Sequence, residues 1–199
     1  MNKEKNKNFF AMMSRMKYIE RWALMRNSVK ENISEHSLEV AMIAHGLAVL
    51  SQVRFDNRSI APEKIALMGL YHDCTEIITG DMPTPVKYDN PEIQEAYKRI
   101  EMMASYQLLN MLPDDMREYY EHLFVEKEED REYWRLVKAA DRLSALIKCI
   151  EEEKAGNREF SSARKTIEES LHQMHCPEAE VFMEEFLPAY MKNLDELSR

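Results

Sequence analysis

The chain has 199 residues and a formal charge of −9, from 36 Asp and Glu against 27 Lys and Arg, with a pI near 5.3. That balance argues against nonspecific binding to nucleic-acid polymers, which relies on basic surface. It leaves room for a small anionic substrate where a local Arg and a metal reverse the field inside one cleft.

Only four residues are Gly and seven Pro, both below average usage. Apolar residues recur at 3.6-residue spacing with no sustained alternation, so the expected class is all-α. The length suits one domain, 1–199. Cys74, Cys149 and Cys176 show neither CxxC spacing nor even pairing, which fits a reduced, cytoplasmic protein. No signal peptide and no membrane span are expected. The fifteen Met residues are scattered and read as core filler rather than copper ligands.

In chain order, residues 6–18 form the first expected helix, with Phe9, Phe10, Met13 and Met16 on one side. Arg21-Trp22 follows near its end. The pair is either an aromatic cap beside a solvated cation or an anion clamp, since a guanidinium engages phosphate through two parallel hydrogen bonds. Ser34 is the expected N-cap of a long helix reaching about Val53. Leu38, Ala41, Met42, Ala44, His45 and Ala48 form its inner face, with His45 as packing, and His36 lies in its first turn. A lone His there is more often structural than a ligand, unless other ligands converge on it.

Pro62 opens the next helix, whose run Ile65, Ala66, Leu67, Met68 and Leu70 leads into Leu70-Tyr71-His72-Asp73-Cys74-Thr75-Glu76. On a continuing helix His72 and Glu76 share a face at i and i+4, with Asp73 about 100° away. A buried His-Asp pair is costly unless something satisfies it, and a divalent cation would do so. Gly80 and two prolines make 77–86 a structured loop close to this point, offering Asp81 and Thr84. Asp81 serves equally well there as a turn residue bonding local amides.

Asn90-Pro91 starts a helix to about Leu112, Pro113 a short one, and 126–130 reads as a solvated acidic connection. Asp141 interrupts the apolar face of a helix over 131–153, where a carboxylate has poor propensity and needs a partner. Two further helices, 158–174 and 177–197, meet at Cys176-Pro177. Cys176 with His172 and His175 lacks the second cluster of a structural zinc site and reads as a helix end.

His36, His72, Asp73 and Asp141 thus come from three separate helices, and two imidazoles with two carboxylates suit a first-row divalent ion. This ordered H…HD…D set resembles the HD-domain phosphohydrolases. The stretches Arg21-Trp22, Glu31-Asn32-Ile33-Ser34-Glu35-His36-Ser37, Tyr71 to Glu76, and Gly80-Asp81-Met82-Pro83-Thr84-Pro85-Val86-Lys87-Tyr88 are similar, more closely, to the bacterial HD-domain 5′-deoxynucleotidases of the YfbR type.

The resemblance implies a single HD-domain helical bundle with a metal site between helices. It implies hydrolysis of 2′-deoxyribonucleoside 5′-monophosphates by a homodimer with one divalent cation per subunit, Co²⁺ being favoured in vitro and Mn²⁺ or another first-row ion possible. By position, His36, His72, Asp73 and Asp141 would be metal ligands and Glu76 the acid/base residue. Arg21, Trp22, Asp73, Asp81, Met82, Pro83 and Thr84 would contact substrate. Little base selectivity is expected, because no base-specific pocket is evident. The other readings are a hydrolase of cyclic nucleotides, alarmones or triphosphates on the same site, and a nucleotide sensor without turnover.

Overall fold

The computed structural model describes residues 7–87 and 90–198, without the side chains of Thr84 and Pro85. It is built from helices; among the described residues the one extended pairing is an isolated antiparallel bridge between Glu20 and Asn32.

Three helices form the centre. Helix α2 (Ile33–Phe55) opens with a capping box in which the Asn32 side chain accepts from Glu35 N and Glu35 accepts from Asn32 N. The cap is therefore Asn32 and not Ser34, since only Asn32 has a partner at N3. α2 is apolar and long enough to cross a bilayer by length and composition. Here its Val40, Ala44 and Leu47 lie fully buried in the core shared with α3 (Pro62–Tyr71) and α8 (Arg131–Lys154). The inner face runs through Ser37, Val40, Ala41, Ala44, Leu47 and Ala48, while Leu38, Met42 and His45 face outward, contrary to expectation. In so apolar a helix the residue types alone do not say which stripe is covered.

α3 approaches α2 closely at Gly69, where a Cβ would come within 3.0 Å of Ala41 Cα. α9 (Ser161–Gln173) and α10 (Pro177–Glu185) close over α8, burying Leu171, Cys176, Ala179 and Phe182. Cys176 receives a hydrogen bond from Arg135, which also pairs with buried Glu178, so this helix junction is structural. The remainder of the expected last helix breaks into a 3-10 turn at Leu187–Met191 and a short α11 (Leu194–Leu197).

A second apolar cluster joins α1 (Phe9–Met13) to α6 (Pro91–Leu109) through Phe9, Met16, Ile33, Cys74, Leu108 and Leu112. α7 (Asp114–Phe124) packs its Leu123 beside Met68, Trp134 and Val137. The expected first helix stops at Met13, with a 3-10 turn at Met16–Tyr18, so Arg21 and Trp22 lie beyond it on a loop. The acidic stretch 126–130 is not wholly solvated: Asp130 is buried and pairs with Lys64 at 2.5 Å.

Candidate metal centre

The α-helix that opens at Pro62 ends at Tyr71, one residue before the His-Asp pair. Residues 72–75 form a tight turn, with Cys74 N donating to Tyr71 O and Glu76 N to Asp73 O, before α4 (Glu76–Thr79). The turn follows directly on the close packing of α3 against α2 at Gly69. His72 Nδ1 donates to Gly69 O at 2.7 Å, which aims Nε2 away from the backbone.

Four side chains meet there. His36 from α2, His72 and Asp73 from the turn, and Asp141 from α8 each offer an atom within 4.8 Å of all the others. His36 Nε2 lies 3.0 Å from Asp141 Oδ1 and 3.4 Å from Asp73 Oδ2. His72 Nε2 is 3.1 Å from Asp73 Oδ2 and 3.9 Å from Asp141 Oδ1. His36 is fully enclosed, whereas the Asp141 side chain is 41 % exposed, so the cluster opens to solvent on the α8 side.

Charge balance shows what this arrangement lacks. Burial opposes charging the imidazoles, yet Asp73 and Asp141 lift His72 to about 9, and Asp141, Asp73 and Glu31 lift His36 well above its ordinary value. Burial opposes ionising Asp73 and Asp141, but the two imidazoles hold both well below the usual carboxylate range. Two carboxylates packed together around enclosed imidazoles demand positive charge, which a divalent cation could supply. His72 Nε2 is moreover buried without a hydrogen-bond partner among the described residues, its 3.1 Å approach to Asp73 being poorly aligned. The donor set and this orphaned nitrogen fit a first-row divalent ion.

Arg21 comes to the same place from the loop between the 3-10 turn and α2. Its backbone N donates to Glu31 O, and its Nη1 donates to Asp73 Oδ2 at 3.2 Å. Burial alone would lower its pKa, but Asp73, Asp141, Glu31 and Asp81 raise it, so the guanidinium stays charged. Trp22 adopts φ +57°, a left-handed conformation unusual for a bulky residue. Three contacts hold it there: Nε1 donates to Glu31 Oε2 at 3.0 Å, N donates to Asp81 Oδ2 at 3.3 Å, and the ring packs on Phe160 at 5.3 Å.

Asp81 therefore joins the 80–83 loop to the Arg21 loop rather than bonding only its own turn. Met82 and Pro83 are part-buried beside it and lead into α5 (Thr84–Lys87). The Thr84 side chain lies outside the described residues.

Glu76 is buried, and its Oε2 has no hydrogen-bond partner among the described residues. Burial, with help from Asp73 and Asp81, pushes its carboxyl up to about 9, so it keeps its proton at neutral pH.

Several supporting residues were not legible as such. Glu31 ties Arg21, Trp22 and His36 together. The Arg21 loop is fastened to α8 by Glu152, which accepts from Ser28 N, Val29 N, Asn157 Nδ2 and Lys148 Nζ. Glu31 lies inside one of the motif stretches, but no local pattern marks Glu152, which is more than a hundred residues from the loop it holds.

The chain matches the family model described as 5′-deoxynucleotidase YfbR-like over residues 8–190. It is 46 % identical over 194 residues to a 5′-deoxynucleotidase of Vibrio atlanticus, covering 98 % of this chain and all of that protein. It is 48 % identical over 192 residues to one of Erwinia tasmaniensis, covering 96 % of each. In fold it is similar to an HD-domain phosphohydrolase of Listeria innocua, at TM-score 0.78 and 21 % identity over 96 % of this chain and 95 % of that one. It is also similar to a cyanophage S-2L HD phosphohydrolase bound to dA and one catalytic Zn²⁺ ion, at TM-score 0.63 and 18 % identity over 89 % and 95 % of the two chains. With a helical bundle, a His-His-Asp-Asp cluster and this likeness along nearly its whole length, the chain belongs to the YfbR-like 5′-deoxynucleotidase family.

Proposed function

We propose that this protein is a metal-dependent phosphomonoesterase that hydrolyses 2′-deoxyribonucleoside 5′-monophosphates to deoxynucleoside and phosphate. The observation that carries the reading is the convergence of His36, His72, Asp73 and Asp141 beside a buried, charged Arg21. Relatives at 46–48 % identity bear the same activity in their names. The four clustered residues would hold one divalent cation, Co²⁺, Mn²⁺ or another first-row ion.

When bound, such an ion polarises a phosphoryl oxygen and makes hydroxide available from water near neutral pH. Arg21 binds the remaining phosphoryl oxygens and stabilises charge that builds on them. Water attacks phosphorus as the P–O5′ bond breaks, and the leaving 5′ oxygen must gain a proton. Glu76, kept protonated at neutral pH by burial, would supply one and recover it from the attacking water. Trp22 would join Arg21 in orienting phosphate and sugar, and the stretch Asp81, Met82, Pro83 and Thr84 would hold the nucleoside end. Exclusion of a 2′-hydroxyl by fit gives discrimination of only about a hundredfold, and the base is read loosely.

The same reading takes residues 1–199 as one domain of a cytoplasmic homodimer. Its dimeric part is supported by the apolar row Leu38, Met42, Val49 and Val53 exposed along α2.

Phosphate release by metal-stripped protein, re-supplied with Co²⁺, Mn²⁺, Mg²⁺ or Zn²⁺, tests the activity. Release largely confined to deoxy 5′-monophosphates, over ribo 5′-monophosphates, a 3′-monophosphate and a cyclic nucleotide, is the expected result. Release from cyclic or triphosphate substrates alone would replace the reading with that of another HD hydrolase.

A further inference from the structure

The far side of His36 carries a second arrangement. While Nε2 faces the carboxylates, Nδ1 lies 3.0 Å from Ser144 Oγ, and that hydroxyl lies 2.5 Å from Glu39 Oε2. Ser144 is fully buried and Glu39 half-buried. A hydroxyl has one proton, and a carboxylate only accepts. The Ser144 proton therefore goes to Glu39, leaving the Ser144 lone pair to accept from His36 Nδ1–H. Glu31 Oε1 lies farther from the same nitrogen, at 3.5 Å, so Ser144 is the nearer acceptor.

The register explains the contact. Glu39 is three residues after His36 on α2, and Ser144 three after Asp141 on α8, so each partner lies one turn along the face that carries a clustered residue. His72 receives the equivalent treatment from the backbone, through Gly69 O.

We infer that Ser144 and Glu39 are positioning residues: the His36–Ser144–Glu39 relay holds His36 in the Nδ1-protonated tautomer and so presents Nε2 as a donor atom to a divalent cation. The inference rests on the metal reading above. Partners of this kind typically contribute 10- to 100-fold in metal affinity when they orient a ligating imidazole.

The test uses the full chain, stripped of metal and titrated with Zn²⁺ or Co²⁺ against a competing chromophoric chelator. Ser144→Ala is expected to weaken binding by about 10- to 100-fold, and Glu39→Ala by less. In Zn²⁺-loaded protein labelled with ¹⁵N-histidine, wild type should show His36 with a protonated, slowly exchanging Nδ1, and both variants should lose that protection from solvent. Thermal unfolding of the metal-free variants checks their fold, and Glu39→Ala, at a half-buried site, carries the test if Ser144→Ala does not fold. Wild-type affinity with an unchanged Nδ1 proton in the variants would overturn the relay while the metal reading stands. A wild-type protein that binds neither ion would overturn both.

Discussion

Gly69 carries two duties at once: its missing Cβ lets the α3 backbone meet Ala41 of α2, and its carbonyl accepts the Nδ1 proton of His72 at 2.7 Å. A close approach of the two helices and the orientation of one clustered imidazole are thus set by the same residue. The neighbours of the added methyl would be backbone atoms of Ala41 and Val40, which cannot rotate away. Gly69→Ala is expected to destabilise the fold by about 1–3 kcal/mol, as overpacking does. It should also weaken Zn²⁺ or Co²⁺ binding by displacing His72. Denaturant unfolding and metal titration check the two effects separately; unchanged values in both would show that α3 can shift freely.

Asp141 is the cluster member most open to solvent and comes from α8 alone. Asp141→Ala should abolish tight metal binding and phosphate release while the helices remain folded. Equilibrium dialysis followed by metal analysis is the direct check. Stoichiometric metal retained with full turnover would remove Asp141 from the ligand set.

Glu76 carries no donor atom in the four-residue cluster and keeps its proton at neutral pH. Glu76→Gln preserves shape and should leave metal content intact, with kcat reduced by about 10²- to 10⁴-fold as expected on losing a general acid or base. Turnover at saturating substrate is the measurement, and a kcat equal to wild type would exclude the assigned role.

Glu152 links stability to pH through the Arg21 loop. Hydrogen bonds from Lys148, Asn157 and Ser28 outweigh its burial and hold its carboxyl down to about 2, against an ordinary 4.5. A carboxylate depressed in the folded state contributes stability fully above about 4.5, and loses it as pH falls toward 2. Amide exchange at residues 26–29 should therefore quicken as pH falls through that window, beyond the intrinsic change with pH. In Glu152→Gln it should be fast already at pH 7, with KM for the nucleotide raised more than kcat is lowered. Equal protection in variant and wild type would show that other contacts hold the loop.

Much of the candidate site was readable residue by residue. The His72-Asp73 pair and Asp141 broke the pattern of the apolar segments around them, and polar groups in buried segments need partners, whereas His36 gained weight only beside those three. The structure brings the four together. The i, i+4 argument for His72 and Glu76 assumed a continuing helix, and α3 instead ends at Tyr71. Local periodicity carries no information on where a helix gives way to a tight turn. The Glu39 and Ser144 signals were present at i+3 from His36 and Asp141, but each gains meaning only once α2 and α8 are side by side.

What the sequence determined by itself is the all-α class, the proline-opened starts of α3 and α6 with the Asn90 cap of α6, and the ligand types available, because these depend on neighbours within one turn. Tertiary structure alone decided which stripe of α2 is buried, that Trp22 is held at positive φ by Glu31, Asp81 and Phe160, and that Glu152 clamps a loop from another end of the chain. Those outcomes depend on contacts between residues up to 138 positions apart, and a side chain's energy there is set by the partner that burial brings to it.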